Sequence, residues 1–213
     1  MSAIPALITA PTAAVVSVDD CKSLLGISGS SQDDMIDGAI GAIAATLDPA
    51  SGGWLGRALR PQTWELRLSG FPAGGIELPY PVQTALTSVK YDDTAGVEQT
   101  LVADTDYRVF GLNGHHKARV SPVYNGAWPV ARSDDESVRI RYVCGYATTA
   151  MPKPIVSAVA LGVRNLIATG ERNLYLSSEE VPGVRTRSWI VSENAEKVLR
   201  RAFENLLSIY RVY

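Results

Sequence analysis

Between residues 51 and 151 the apolar side chains recur with a period of two, and on either side of that block they recur every three or four positions. A strand alternates its faces residue by residue, whereas a helix returns to one face after three or four. No all-helical bundle and no all-strand barrel satisfies both patterns, so the switch at Gly52 and the return at Pro152 predict an α+β chain. Its expected divisions are 1–50, with an arm and two helices; 51–151, a β-rich block; and 152–213, with two further helices.

Within the first part, Ser17 ahead of Val18, Asp19 and Asp20 predicts a capped helix running to about Ile27, because the hydroxyl takes a free backbone N–H and carboxylates suit the positive helix end. Ser31 with Asp34 predicts a second cap. Met35, Ile36, Ala39, Ile40, Ile43, Ala44 and Leu47 then give an apolar stripe that Asp48-Pro49 terminates. In the middle part, Thr63 to Leu68 sets Trp64, Leu66 and Leu68 on one face and Glu65 and Arg67 on the other. Leu86 to Tyr91 and Val97 to Val102 read as a hairpin around Asp92–Gly96. Tyr107 to Phe110, Lys117 to Val120 and Val138 to Cys144 read as further strands, with Asn113-Gly114 and Asn125-Gly126 at turns of positive φ. A small sandwich and an open barrel both fit this block. In the last part, Pro152 and Pro154 open a helix over Ile155 to Ala168 so apolar that protein should surround it. Gly170 to Pro182 reads as a loop, and Val184 to Val191 as strand or coil. Ser192 caps a final helix with Val198, Leu199, Ala202, Phe203, Leu206 and Ile209 as its stripe.

The 213 residues carry 20 basic and 22 acidic side chains, a net charge of −2 that disfavours a general nucleic-acid binder. Residues 1–151 hold 11 basic against 16 acidic residues and 152–213 hold 9 against 6, so the helical tail is the basic part. A solvated helix face and a docking surface for an acidic partner both account for that bias. Met1 to Val16 is apolar but lacks Lys and Arg and is broken by Pro5 and Pro11, which fits an arm better than a secretion signal. No stretch is long enough to span a membrane, and a soluble protein is expected.

Chemistry-bearing constellations are sparse. Cys21 and Cys144 form no Cys-x-x-Cys pair and read as free thiols rather than a disulfide or a reactive site. His115-His116 are adjacent and point apart, a poor start for a metal site. Gly52 to Arg57 resembles a phosphate loop only superficially, lacking the Gly-Lys-Ser/Thr ending. Asp92-Asp93 and Ser133 to Glu136 lack calcium-loop spacing and read as solvated turns. The expectation is therefore a structural protein without a catalytic residue, metal or cofactor; a hydrolase built on the β-rich block is the alternative, and a DNA-binding packaging factor is disfavoured by the charge.

Trp54-Leu55-Gly56-Arg57-Ala58-Leu59, Trp64 to Leu68, Phe71-Pro72, Ile76 to Val82, Ser88 to Asp93, Asp106 to Val109, Trp128-Pro129, Val138 to Tyr146 and Met151-Pro152 ahead of an apolar helix follow one another in order. In this combination, over about residues 17–213, the chain resembles the head-tail connector, or adaptor, proteins of tailed phages that carry a β-rich insertion in a helical core. Gly170 to Asn173 fits the family's short polar loop, whereas Tyr175 to Trp189 departs from its pattern. The resemblance implies a helical connector core formed by both chain ends with an inserted antiparallel module. It also implies a dodecameric ring of this chain beneath the portal protein, docking a stopper or tail-completion protein, with DNA only as passing cargo and no membrane. Its place would be the virion's head-tail interface, and the host cytoplasm during assembly. The apolar, aromatic end Ile209, Tyr210, Arg211, Val212 and Tyr213 is the expected portal contact, although Tyr210 and Tyr213 could instead fold back on the subunit.

Overall fold

A computed structural model describes residues 3–171, 178–181, 185–188 and 193–212. In chain order the elements are β1 (Ala3–Thr9), α1 (Val18–Leu25), α2 (Asp33–Leu47), β2 (Gln62–Leu68), β3 (Ile76–Glu77), β4 (Gln83–Asp92), β5 (Glu98–Leu101), β6 (Tyr107–Phe110), β7 (Arg119–Pro122), β8 (Val138–Cys144), α3 (Lys153–Glu171), β9 (Ser178–Val181), β10 (Arg185–Ser188) and α4 (Glu193–Ser208). The fold is mixed α+β, and the chain separates into two compact units. One comprises Met1–Ala13, Ala45–Ala150 and Tyr210–Tyr213; the other comprises Ala14–Ala44 and Met151–Ile209.

In the strand unit, β1-β2-β8-β4-β5 form a five-stranded antiparallel sheet and β3-β7-β6 a three-stranded one. Period-two alternation does what it predicts. Trp64, Leu66 and Leu68 of β2 and Val138, Ile140, Tyr142 and Cys144 of β8 bury one face of the large sheet, in a core shared with Ile76, Tyr107 and Val120 of the small one. The hairpin of β4 and β5 forms around the expected turn, and Asn113 and Asn125 adopt φ of 60° and 58°. Of the two expected architectures, the pair of sheets around one core is the sandwich-like one.

The N-terminal segment is not an arm. Ala3–Thr9 pairs antiparallel along β2, with Pro5 opposite Leu66, and occupies the sheet edge, where a residue without an N–H is tolerated. Ala3, Pro5 and Leu7 fall in register with Leu68, Leu66 and Trp64 and continue the inner face of the sheet, while Ile4 and Ile8 of the same strand remain exposed. Residues 1–13 and 210–213, grouped by sequence with the helices, thus belong to the strand unit.

In the helical unit, Ser17 caps α1 as expected, its Oγ accepting the Asp20 N–H at 3.1 Å, and Gly26 ends it at φ 68°. Helix α2 begins at Asp33 instead of directly after Ser31, and Lys22 Nζ meets Asp33 Oδ1 at 2.7 Å to tie the two helices. Helix α3 packs against both α1 and α4. Ile155, Ala158, Val159 and Val163 are buried, but Leu166 is 45% exposed, so the described residues do not surround α3 on all sides. The α4 stripe is also incomplete: Leu207, not part of the expected set, is buried, while Val198 is 65% exposed. The loop expected over Gly170 to Pro182 is replaced in part by the end of α3 and by β9, which pairs antiparallel with β10. Backbone pairing needs no apolar alternation, which is why that hairpin left no period-two signal. The expected Ser192 cap, and the parts of 170–191 between these elements, lie outside the described residues.

Candidate functional site

The sequence directs attention to the last residues of the chain, and in the strand unit the turn before β2 receives them. Asp48 caps a 3-10 turn over Pro49–Ser51, and its buried carboxylate accepts from the N–H groups of Ala50 at 2.9 Å and Leu59 at 2.8 Å. Gln62 Nε2 donates to the same carboxylate at 3.0 Å, while Gln62 Oε1 accepts from Trp64 Nε1 at 2.9 Å. The segment from Gly52 to Arg57 is thereby fixed at both ends.

Arg57, only 2% exposed, projects from this segment. Its Nε donates to the Tyr210 carbonyl at 2.9 Å, one terminal nitrogen to the His115 carbonyl at 2.7 Å, and the other to the Tyr146 hydroxyl at 3.3 Å. The Val212 N–H donates to the Leu55 carbonyl at 3.0 Å, and the Arg211 guanidinium lies 5.3 Å from the centre of the Trp54 ring. Gly56 sits between them at φ 66°, and a side chain there would run into the Val212 carbonyl. Burial pushes the Tyr146 phenol up, so it remains a neutral partner for Arg57.

Of the five expected contact residues, the structure therefore anchors Tyr210 and Val212 by their backbones and leaves Arg211 exposed over Trp54. Ile209 is 76% exposed, and Tyr213 lies outside the described residues. The receiving residues Trp54, Leu55, Gly56 and Arg57 entered the sequence reading as the first segment of the connector resemblance and in the discarded phosphate-loop comparison, but not as a seat for the chain end. The run Trp54-Leu55-Gly56-Arg57 was the available signal, but nothing in linear order links Arg57 to a carbonyl 153 positions later.

Ion pairs line the outer face of the large sheet over β2, β8, β4 and β5. Glu65, with 7% of its side chain exposed, receives Arg141 at 2.7 Å and Arg67 at 3.0 Å, and Arg67 also reaches Glu136 at 2.9 Å. Arg139 meets Asp92 at 2.7 Å and Glu98 at 3.0 Å, and Lys90 meets Glu98 at 2.7 Å. Burial alone would raise the Glu65 carboxyl, but hydrogen bonds and charge from Arg141 and Arg67 outweigh it and hold the group below its ordinary value. Asp92 is held down by its hydrogen bond to Arg139, and Glu98 by Lys90 and then Arg139.

A second exposed feature escaped the sequence reading. Tyr124 is 88% exposed in the loop after β7, which Trp128 pins by stacking on Phe71 at 4.7 Å and donating to the Gly74 carbonyl at 2.9 Å. His115 serves Arg57 through its backbone carbonyl. Both cysteines are free and buried. Among the described residues no three His, Cys, Asp or Glu side chains cluster as metal ligands, and no helix is long and apolar enough to cross a membrane.

No protein-family model matches this chain, and no curated protein matches it either. Solved structures do share its fold. A chain from the virion of a native gene transfer agent (GTA) particle is 17% identical and superposes with a TM-score of 0.64 over 99% of this chain and 96% of its own. A chain from the neck of an empty GTA particle, computed with C6 symmetry, is 17% identical with a TM-score of 0.63 over the same shares. A third, from the neck of a native GTA particle computed with C12 symmetry, is 16% identical with a TM-score of 0.62 over 99% and 96%. At such identity the likeness establishes the fold, and it spans both units of the chain.

Proposed function

We propose that this chain is a structural, non-enzymatic neck component of a tailed-phage-like particle: a head-tail adaptor that forms a ring, dodecameric by analogy, below the portal and receives a stopper or tail-completion protein. The observation that carries the reading is the fold likeness to GTA neck and virion chains, which covers 99% of this chain and 96% of each of theirs. The order of the connector-like segments along the sequence supports it independently. DNA passes through the ring as cargo, in keeping with a net charge of −2.

The proposed portal contact is Ile209 to Tyr213. Support comes from the division of labour in this segment: backbone hydrogen bonds hold Tyr210 and Val212, while Ile209 and Arg211 remain exposed. Exposed apolar and Arg side chains on a fixed backbone bind at low entropic cost. The test is to mix the purified chain with the portal encoded beside it and image the mixture by negative stain. Rings stacked on the portal, lost when Ile209 is changed to Asp, are expected. A chain that stays monomeric and never co-migrates with the portal would overturn the neck reading; stacking that survives Ile209→Asp and deletion of 209–213 would remove only the proposed contact.

A further inference from the structure

The large sheet of the strand unit neutralises its cations: Arg67, Lys90, Arg139 and Arg141 all meet carboxylates. The small sheet does not. Arg108 of β6 and Arg119 of β7 are exposed, and among the described residues neither makes an ion pair or a hydrogen bond. Tyr107 and Val120 turn inward to the core, so Arg108, Phe110, Arg119 and Ser121 share the outer face, with Arg108 opposite Ser121 and Phe110 opposite Arg119. That register makes the two arginines diagonal neighbours, about 7 Å apart at their Cα atoms.

Arg119 is also held in place. Its side chain lies along the backbone of Gly74 and Gly75, where a Cβ on Gly75 would strike both Arg119 Nε and Ser121 Oγ. The glycine pair is itself fixed, because the Gly74 carbonyl accepts from Trp128 Nε1 at 2.9 Å and Trp128 stacks on Phe71. Ser121, opposite one arginine and two residues from the other, has no side-chain hydrogen bond among the described residues. Glu77, the register partner of Arg119 on β3, is exposed on this face but does not pair with it. Two guanidinium groups and a hydroxyl thus converge without an acceptor, and a guanidinium fork matches the oxygens of a phosphate.

We infer that this face of the small sheet takes the phosphodiester backbone of duplex DNA, with Arg108 and Arg119 on adjacent phosphates of one strand and Ser121 donating between them. An acidic protein surface would answer the charge as well, but DNA presents its phosphates at a regular interval close to the spacing of the two arginines. Phe110, 54% exposed beside them, gives the sugar edge an apolar contact. Two phosphate contacts per copy are few, so each is weak and sensitive to salt, and a duplex held that way can slide. The inference rests on the neck reading for bringing DNA to the chain and adds the surface that meets it.

The test is binding of a fluorescent random-sequence duplex to the full chain, followed by anisotropy as salt is raised. The native chain should bind at low salt. Arg108→Ala with Arg119→Ala should weaken binding about tenfold and flatten the salt dependence by about 2 for each engaged copy. Arg164→Ala with Arg201→Ala removes the same charge from exposed positions of α3 and α4 and should weaken binding less than about threefold. All three proteins should melt alike; if the alanine pair does not, Arg108→Gln with Arg119→Gln keeps the side-chain stems and repeats the test. A native chain that fails to bind DNA at low salt, or a loss from the helix pair equal to or larger than that from the sheet pair, would overturn the inference. So would a polyglutamate peptide bound as tightly as DNA through the same two arginines, which would assign the face to an acidic protein. Portal stacking of the native chain, scored separately by negative stain, tells the two readings apart: stacking without DNA binding removes this inference alone, and DNA binding through Arg108 and Arg119 without stacking removes only the neck reading.

Discussion

The two units build their cores and cover their faces in different ways. In the strand unit the inner faces of two sheets close on one another, and the outer face of the larger sheet is covered by a lattice of arginine and carboxylate pairs. In the helical unit, apolar side chains remain uncovered on each helical layer: Leu24 on α1, Met35 on α2, Leu166 on α3 and Val198 on α4. The difference is one of placement: the strand unit leaves large apolar side chains exposed on its edge strand and in its loops, Ile4, Ile8, Tyr124 and Val130 among them, whereas the helical unit leaves them on the helices themselves.

The sharpest way to break that comparison is to damage the finished core. Ile140→Ala, at a fully buried position of β8, should cost about 2–5 kcal/mol in urea unfolding. Arg57→Ala should cost about 3 kcal/mol by the same measurement, because it strands the Tyr210 and His115 carbonyls together with the Tyr146 hydroxyl. Deleting 209–213 should be milder, about 1–2 kcal/mol, since Arg57 keeps two partners and loses one. The buried guanidinium is the reason to expect a measurable cost from removing so exposed an end.

The ion-pair lattice predicts a pH response with a definite sign. Glu65, Asp92 and Glu98 are held below their unfolded values, so their contribution is complete above the ordinary carboxylate range and is lost as pH falls through the lower folded values. Glu65→Gln should therefore lower the urea midpoint at neutral pH, and the gap from the native chain should close in acid. At the other end of the scale, Val198→Ala should change stability by less than about 0.5 kcal/mol. A cost near that of Ile140→Ala would mean that the helical unit buries this face itself and that the contrast between the units is false.

Much of the fold was legible because local chemistry and global fold agree. Ser17 caps α1, the Asp92–Gly96 turn joins β4 and β5, and β6 and β8 occupy the residues their alternation marked. What could not be read depends on distant partners. Ala3–Thr9 acquires a role only when β2 lies beside it, and β9 with β10 is held by backbone bonds that any polar sequence can make. The tail segment was recognisable as an interaction candidate from its composition, but Arg57 was not, because its partners at 115, 146 and 210 are far away in sequence. The stripe of α4 was found only in part: Leu207, outside the expected set, is buried, and Val198, within it, is exposed.

The two cysteines carry one consequence for handling and for life outside a cell. Burial pushes both thiols up, Cys144 strongly so, and a sulfur that keeps its proton is a poor nucleophile toward disulfides, peroxides and alkylating agents. With neither sulfur at the surface, the folded chain can move from a reducing compartment to an oxidising one without scrambling or cross-linking, and its covalent structure is indifferent to the journey.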